Sequence, residues 1–136
     1  MTALLDANVV IALLDGAHEH HQAARRWFLD SAGEFATCPV TQGAVIRYTL
    51  RRGRSAASSV RTVRSLTSHE RHRFWADDVQ YPLVRLDGVV GHRQVTDAYL
   101  AELARRHDGR LLTFDRALVD LHSDVADLVP MEGTDS

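Results

Sequence analysis

Apolar residues along this chain occur as short continuous runs and as longer stretches with helical spacing. The short runs, which are mainly apolar, are typical of buried strands and lie at residues 2–5, 35–40, 83–86, 110–114 and 128–131. Helical spacing predicts helices between them, at residues 8–14, 18–30, 41–52, 55–66, 95–107 and 116–121. Strands that alternate with helices predict an α/β fold with three layers, in which a parallel central sheet lies between two layers of helices.

Residues that begin or end helices refine this outline. Thr41 and Ser55 are suitable N-caps for the two helices in the middle of the chain, and Gly109 is a suitable C-cap for the helix 95–107. No linker-like stretch divides the chain, so we expect one domain over residues 1–131 and a loose tail at residues 132–136.

Two of the predicted strands end on an aspartate. Asp6 follows the first apolar run, and Asp115 follows the run at 110–114. Ligands of open parallel sheets bind beyond the carboxyl ends of the strands, so these two carboxylates are expected at one edge, on neighbouring strands. Asp97, near the start of the helix 95–107, is a third candidate.

Each of these aspartates also has a structural explanation when it is considered alone. Asp6 is suited to a turn at a strand end, Asp115 to an N-cap, and Asp97 to the positive end of a helix. Three acids from different elements, however, would repel one another without a cation. Mg²⁺ prefers oxygen ligands and keeps several waters, so a few carboxylates suffice to bind it.

The charged residues are distributed unevenly, although the formal charge of the 136-residue chain is only −2. All 16 basic residues are arginines, because the chain contains no lysine. Residues 47–73, which we call the basic segment, hold eight arginines and one glutamate, a charge of +7; the remaining eight arginines and seventeen acids give −9. Guanidinium groups bind phosphate oxygens well, which favours a nucleic-acid partner, but a solvated helical face would produce the same pattern.

The N-terminus and the cysteine content indicate a cytoplasmic protein. Cys38 is the single cysteine and cannot form an internal disulfide. The N-terminus lacks the basic start and long apolar stretch of a signal peptide. The longest apolar run, residues 9–14, is too short to cross a bilayer, so no membrane partner is expected.

Four segments together resemble a known family. In order along the chain they are LLDANVV at 4–10, TQGAVIR at 41–47, GHRQVTDAYL at 91–100 and LLTFD at 111–115. In order and spacing they resemble PIN-domain proteins, specifically the VapC-like toxins of bacterial toxin–antitoxin pairs. The resemblance implies an endoribonuclease dependent on Mg²⁺ or Mn²⁺, a cognate antitoxin, a homodimer, and Asp6, Asp97 and Asp115 as catalytic and metal-binding residues.

One position departs from the family pattern. Family members often have a glutamate directly after the threonine that opens the third helix, whereas this chain has Gln42. Glutamine keeps an oxygen but loses the charge, which predicts weaker metal affinity. Asn8 and Thr113 flank the strand-end aspartates and are expected to support them by hydrogen bonds. RNA or antitoxin is expected to contact Arg47, Arg51, Arg52 and Arg54.

Two alternatives remain open. The segment that begins at Asp6 is faintly similar to the aspartyl-nucleophile loop of haloacid-dehalogenase-like phosphatases. Such phosphatases and receiver domains use a lysine near the phosphate, and the absence of lysine argues against both. The second alternative is a catalytically weak or silent PIN fold that binds RNA or its antitoxin, which Gln42 favours. Growth inhibition by the chain expressed alone would separate an active toxin from such a module.

Overall fold

A computed structural model describes residues 1–131, and the predicted tail at 132–136 lies outside the described residues. Among the helices of the described part, none is long and apolar enough to cross a membrane. The elements follow one another as β1 (Ala3–Leu5), α1 (Ala7–Leu14), α2 (His21–Asp30), β2 (Phe35–Thr37), α3 (Pro39–Arg51), α4 (Ala56–Thr67), β3 (His72–Phe74), a 3₁₀ turn (Tyr81–Leu83), α5 (Arg93–Arg106), β4 (Arg110–Thr113), α6 (Arg116–Leu121) and β5 (Ala126–Leu128).

The five strands of this region form one parallel sheet in the order β3-β2-β1-β4-β5. The central strand β1 pairs with β4, so that Leu4 lies opposite Leu111 and Leu5 opposite Leu112. This confirms the predicted parallel sheet and the prediction that the strands ending near Asp6 and Asp115 are neighbours.

The two faces of the sheet pack against different helices. Leu4 and Leu111 lie in one core cluster with residues of α5 and α6. Leu5 and Leu112 lie in a second cluster with residues of α1 to α4. Successive residues of a strand point to opposite faces, and these strands are therefore apolar on both sides. The predicted three-layer α/β/α architecture is confirmed.

Two predicted strands were misplaced. Residues 83–86 do not form a strand: the 3₁₀ turn ends at Leu83, and only Val84 of that run is buried. The strand in this part of the chain is β3, at His72–Phe74, which pairs with β2 at the edge of the sheet. An edge strand with two exposed residues needs no apolar run, so the sequence pattern did not reveal it. The last strand begins two residues earlier than predicted, at Ala126.

Helix α3 also begins earlier than predicted. Pro39 is its first residue and Cys38 its N-cap, because proline suits the first helical turn. Thr41 is therefore not the N-cap, although its hydroxyl accepts a hydrogen bond from the Cys38 backbone N–H at 3.1 Å. This early start places the first turn of α3, which includes Gln42, directly after the carboxyl end of β2.

Gly109 has a packing role rather than the predicted capping role. Helix α5 ends at Arg106, with His107 as C-cap, and the left-handed residue is Asp108 at φ 53°. A β-carbon on Gly109 would lie 2.5 Å from the Thr2 carbonyl oxygen and 2.8 Å from the Trp75 ring. Glycine is therefore needed here because the turn between α5 and β4 packs closely against Thr2 and Trp75.

Candidate metal centre

Asp6 lies at the carboxyl end of the central strand and is 8% exposed. Its backbone N–H donates to Leu112, which continues the β1–β4 pairing by one residue. The side chain caps α1, since Oδ1 accepts a hydrogen bond from the Ala7 N–H at 2.8 Å. Oδ2 accepts one from the Thr113 hydroxyl, also at 2.8 Å. The strand end and the helix start thus fix this carboxylate in place.

Asp115 follows the neighbouring strand β4 and is exposed. It is the N-cap of α6, and its Oδ1 accepts hydrogen bonds from the Ala117 and Leu118 N–H groups at 2.9 and 3.3 Å. The Thr113 hydroxyl that donates to Asp6 also accepts from the Asp115 backbone N–H, at 3.0 Å. Thr113 therefore links the two strand ends, and the hydrogen bond expected of it is present.

Asp97 reaches the same edge from α5. It is the fifth residue of that helix, so its carboxylate does not cap the helix, and it makes no side-chain hydrogen bond or ion pair within residues 1–131. Burial, followed by the negative charges of Asp6 and Asp115, raises the pKa of Asp97 to about 6. Capping therefore explains Asp6 and Asp115 in part, but it does not explain Asp97.

Asp6 is subject to the same repulsion. Burial is the main influence that raises the pKa of Asp6, and the charge of Asp115 adds to it, against the hydrogen bonds from Thr113 and Ala7. Within residues 1–131 none of the three carboxylates forms an ion pair with an arginine. The structure thus brings three acids together without a counter-charge.

The chemistry of these donors fits a hard divalent cation. The donors are carboxylate oxygens, and the net negative charge requires a positive partner. In the described part of the chain, no three His, Cys, Asp or Glu side chains are arranged to hold an ion by themselves. Mg²⁺ and Mn²⁺ accept carboxylate oxygens and keep several waters, so they need few protein ligands.

Gln42 lies on α3, one strand away from Asp6, and is partly buried. Its side-chain Nε2 donates a hydrogen bond to Thr37 Oγ1 at 3.0 Å. The same Oγ1 atom of Thr37 lies 2.7 Å from His72 Nε2. Thr37 is the last residue of β2. Thr37 and His72 were missed in the sequence: a threonine at a strand end is a weak signal, and His72 lies in the strand that the pattern did not reveal.

Asn8 does not behave as expected. It is exposed on the first turn of α1 and makes no side-chain hydrogen bond to Asp6 or Asp115. The reason is that Ala7 and Thr113 already provide the donors to Asp6, and α1 turns the next residue toward solvent.

The basic segment divides into two parts. Arg71 and Arg73 belong to the fold: Arg71 donates to the carbonyls of Gly33 and Phe28, and Arg73 pairs with Glu34. The four predicted contact residues are exposed at the end of α3 and in the loop after it, and none forms an ion pair within the described residues: Arg47, Arg51, Arg52 and Arg54.

Comparison with known proteins identifies the family. Residues 3–123 match the PIN domain. The chain is 54% identical over 130 residues to Ribonuclease VapC29 of Mycobacterium tuberculosis, which covers 96% of this chain and 98% of that protein. The chain belongs to the PIN-domain family. Among PIN domains it is a member of the VapC group, as the sequence resemblance indicated.

Solved structures of VapC proteins share the fold of this PIN domain. Mycobacterium tuberculosis VapC20, a toxin that cleaves the sarcin–ricin loop, matches with a TM-score of 0.73 at 18% identity, over 94% of this chain and 99% of that one. A chain of Rickettsia felis VapBC2, bound to a promoter DNA fragment, matches with a TM-score of 0.66 at 11% identity, over 96% and 100%. At such identities the match shows the fold alone.

Proposed function

We propose that this PIN domain is a Mg²⁺-dependent endoribonuclease that acts as the toxin of a toxin–antitoxin pair, with Mn²⁺ as an alternative ion. The observation that carries the proposal is the convergence of Asp6, Asp97 and Asp115 at one sheet edge without a counter-charge. The ribonuclease named among the relatives supports RNA as the substrate class.

Asp6, Asp97 and Asp115 would hold the ion, and the chain's own groups set the conditions for binding. When bound, the ion supplies an activated water and stabilises negative charge on a phosphodiester. Carboxylates bind a cation only when they are deprotonated, so the raised pKa of Asp97, about 6, makes the affinity fall as the pH drops below that value. Thr113 keeps Asp6 oriented for this role.

The basic segment is the proposed surface for RNA or the antitoxin. Arg52 and Arg54 line a cavity of about 260 Å³ between α1, α3 and α4, together with apolar residues such as Ile11 and Val45. Arginines beside an apolar surface suit an acidic or phosphate-bearing partner. The VapC resemblance adds a cognate antitoxin, a homodimer and action in the cytoplasm, where RNA is available.

Cleavage of a mixed RNA substrate tests the enzymatic function. We expect cleavage with Mg²⁺, none with EDTA, and a loss of most activity in Asp6→Asn and Asp97→Asn, each of which removes one charge but keeps the side-chain size. Circular dichroism of both variants should show an intact fold. Cleavage that survives chelation and both substitutions would refute the proposal.

Gln42 favours a second candidate, a silent module that binds RNA or antitoxin without cleaving. The neutral amide gives this edge one negative charge fewer than a glutamate would. If no RNA is cleaved with Mg²⁺ or Mn²⁺ although RNA or antitoxin still binds, the silent module is the better description. Expression of the chain without its antitoxin should then leave growth unaffected.

A further inference from the structure

One arginine joins the last turn of α5 to the turn that follows α6. Arg105 donates through Nε and Nη2 to the two carboxylate oxygens of Asp124, at 2.8 and 3.0 Å. Its Nη2 also lies 3.1 Å from Nδ1 of His122, and its Nη1 donates to Glu102 of the same helix at 3.2 Å. The Arg105 side chain is only 13% exposed, so protein groups replace most of the water around it.

The contact between Arg105 and His122 has one possible direction. A guanidinium group has donors but no acceptor, so Nδ1 of His122 accepts the hydrogen bond and carries no proton. Burial, followed by the positive charge of Arg105, lowers the pKa of His122, against the negative charges of Asp124 and Glu102. His122 is therefore neutral near pH 7 and presents a lone pair to Arg105. Only a fork-shaped cation can make this bond and the two bonds to Asp124 together.

The two helices that Arg105 joins each provide an acid of the candidate centre. α5 is followed by β4 and α6 by β5, so both helices end near the amino edge of the parallel sheet and begin near its carboxyl edge. Asp97 lies about two helical turns before Arg105 on α5. Asp115 caps the start of α6, and His122 caps its end. The acids thus lie at the near ends of the helices and the arginine contact at the far ends.

Arg105 makes the only directional contacts of this kind between the two elements. Among residues 1–131, no other side-chain hydrogen bond or ion pair joins α5 to α6 or to the turn after it. The other contact between them is apolar, since Leu118 of α6 lies in the same core cluster as α5. Apolar packing is non-directional, whereas the hydrogen bonds of Arg105 require one relative placement of the helices.

We propose that Arg105 is a positioning residue for the acidic centre: by joining the far ends of α5 and α6, it fixes the separation of the Asp97 and Asp115 carboxylates. The inference rests on the proposed function for its consequence, because an ion held by both carboxylates needs them at a constant separation. A helix is stiff along its axis, so a shift at the arginine contact is carried to the acid at the other end.

Hydrogen exchange of the metal-free protein tests whether Arg105 holds α6. Arg105→Lys keeps the charge but loses the fork that contacts Asp124 and His122 together. The backbone N–H groups of Ala117 and Leu118 donate to Asp115, so their exchange reports on the start of α6. In this variant they should exchange about tenfold faster relative to the amides of β1. Unchanged relative exchange would overturn the proposal.

Mn²⁺ affinity tests whether the same contact positions the carboxylates. By electron paramagnetic resonance of the free ion at pH 7.5, Arg105→Lys should bind Mn²⁺ about fivefold more weakly than the wild type. Asp124→Asn removes the bidentate partner from an exposed position and should change the affinity in the same direction. This second variant keeps the test decisive if Arg105→Lys does not fold. Wild-type affinity in both variants would contradict a positioning role.

The matched control is Asp127→Asn. Asp127 forms an equally bidentate pair with Arg110, at 2.9 and 2.7 Å, but this pair joins β4 to β5 and does not reach α5. Urea unfolding should show similar losses of stability in Asp124→Asn and Asp127→Asn, whereas only Asp124→Asn should weaken Mn²⁺ binding.

Equal losses of Mn²⁺ affinity in Asp124→Asn and Asp127→Asn would mean that general destabilisation causes the effect, and the proposal would be wrong. If the wild-type chain binds no Mn²⁺, the proposed metal centre fails. The exchange of Ala117 and Leu118 in Arg105→Lys then still decides whether Arg105 holds the helix that follows Asp115.

Discussion

Asp6 and Asp97 of the candidate site differ in their burial and in the hydrogen bonds that their carboxylates accept. Asp6 is more deeply buried but accepts hydrogen bonds from Ala7 and Thr113. Asp97 is half-buried, accepts none within residues 1–131, and lies near two negative charges. In the metal-free protein, Asp97 is therefore the carboxylate whose charged form is most destabilised by burial and by its acidic neighbours.

Replacement of Asp97 by asparagine should stabilise the metal-free protein. At pH 7.5 in EDTA we expect the free energy of unfolding to rise by about 1 kcal/mol, after allowance for the partial exposure of the side chain. Because the folded-state pKa is raised, the folded protein binds this proton more tightly than the unfolded chain does. The gain should therefore be full above pH 6 and vanish as the pH falls toward 3.8, the ordinary value.

Urea unfolding across this pH range measures the effect. The control is Asp78→Asn, in an exposed loop, which should change stability little at any pH. An Asp97→Asn variant less stable than the wild type in EDTA at pH 7.5 would show that the carboxylate has a favourable partner and that the repulsion is absent.

Replacement of Thr113 tests the link between the strand ends. Thr113→Val should lower the free energy of unfolding by about 2 kcal/mol, because Asp6 loses a buried donor and the Asp115 N–H loses its acceptor. Thr113→Ser keeps the hydroxyl and should cost about 1 kcal/mol, the value of one buried methyl group. Equal losses in the two variants, measured by urea unfolding in EDTA, would mean that the hydroxyl contributes nothing.

At the level of secondary structure, the sequence predicted the central strands, which are buried on both faces, and missed the edge strand β3. The runs that form β1 and β4 are continuous because helices cover both sides, and each is followed by an aspartate that begins a helix. β3 lacks such a run because it pairs on one side only. Its position, and with it the place of His72, depends on pairing with β2, which no local pattern encodes.

The candidate site follows the same rule. Asp6 and Asp115 could be predicted because each ends an apolar strand, and Asp97 because of the family pattern around it. The contact between Gln42 and Thr37 could not, because it depends on α3 beginning at Pro39 rather than at Thr41.

The end of α3 and the loop after it give a prediction for partner binding. Replacing Arg51, Arg52 and Arg54 together with glutamine should weaken RNA binding and reduce the slope of log affinity against log salt by about two to three. The matched control removes the same number of positive charges elsewhere. In it, glutamine replaces Arg25 on α2, Arg85 in the loop before α5 and Arg106 on α5. Fluorescence anisotropy at several salt concentrations measures both variants. Equal slopes in the two would mean that the basic segment is only a solvated surface.

For the whole molecule, the separation of charge is the main electrostatic feature. The basic segment carries +7 and the rest of the chain −9, and the structure uses Arg71 and Arg73 of that segment in the fold. The other exposed arginines of the basic segment therefore lie on α3, on α4 and in the loop between them, while the acids of the candidate centre lie at the sheet edge. A divalent cation bound at that edge would reduce the electrostatic repulsion between its carboxylates and RNA phosphates.

Metal binding by the three carboxylates tests the central claim most directly. Titration of Mn²⁺ into the protein at pH 7.5, followed by electron paramagnetic resonance of the free ion, counts the bound ions and gives their affinity. We expect one or two bound ions in the wild type and at least a tenfold weaker affinity in each of Asp6→Asn, Asp97→Asn and Asp115→Asn, with Asp78→Asn unchanged. Wild-type affinity in all three site variants would contradict metal binding by these carboxylates.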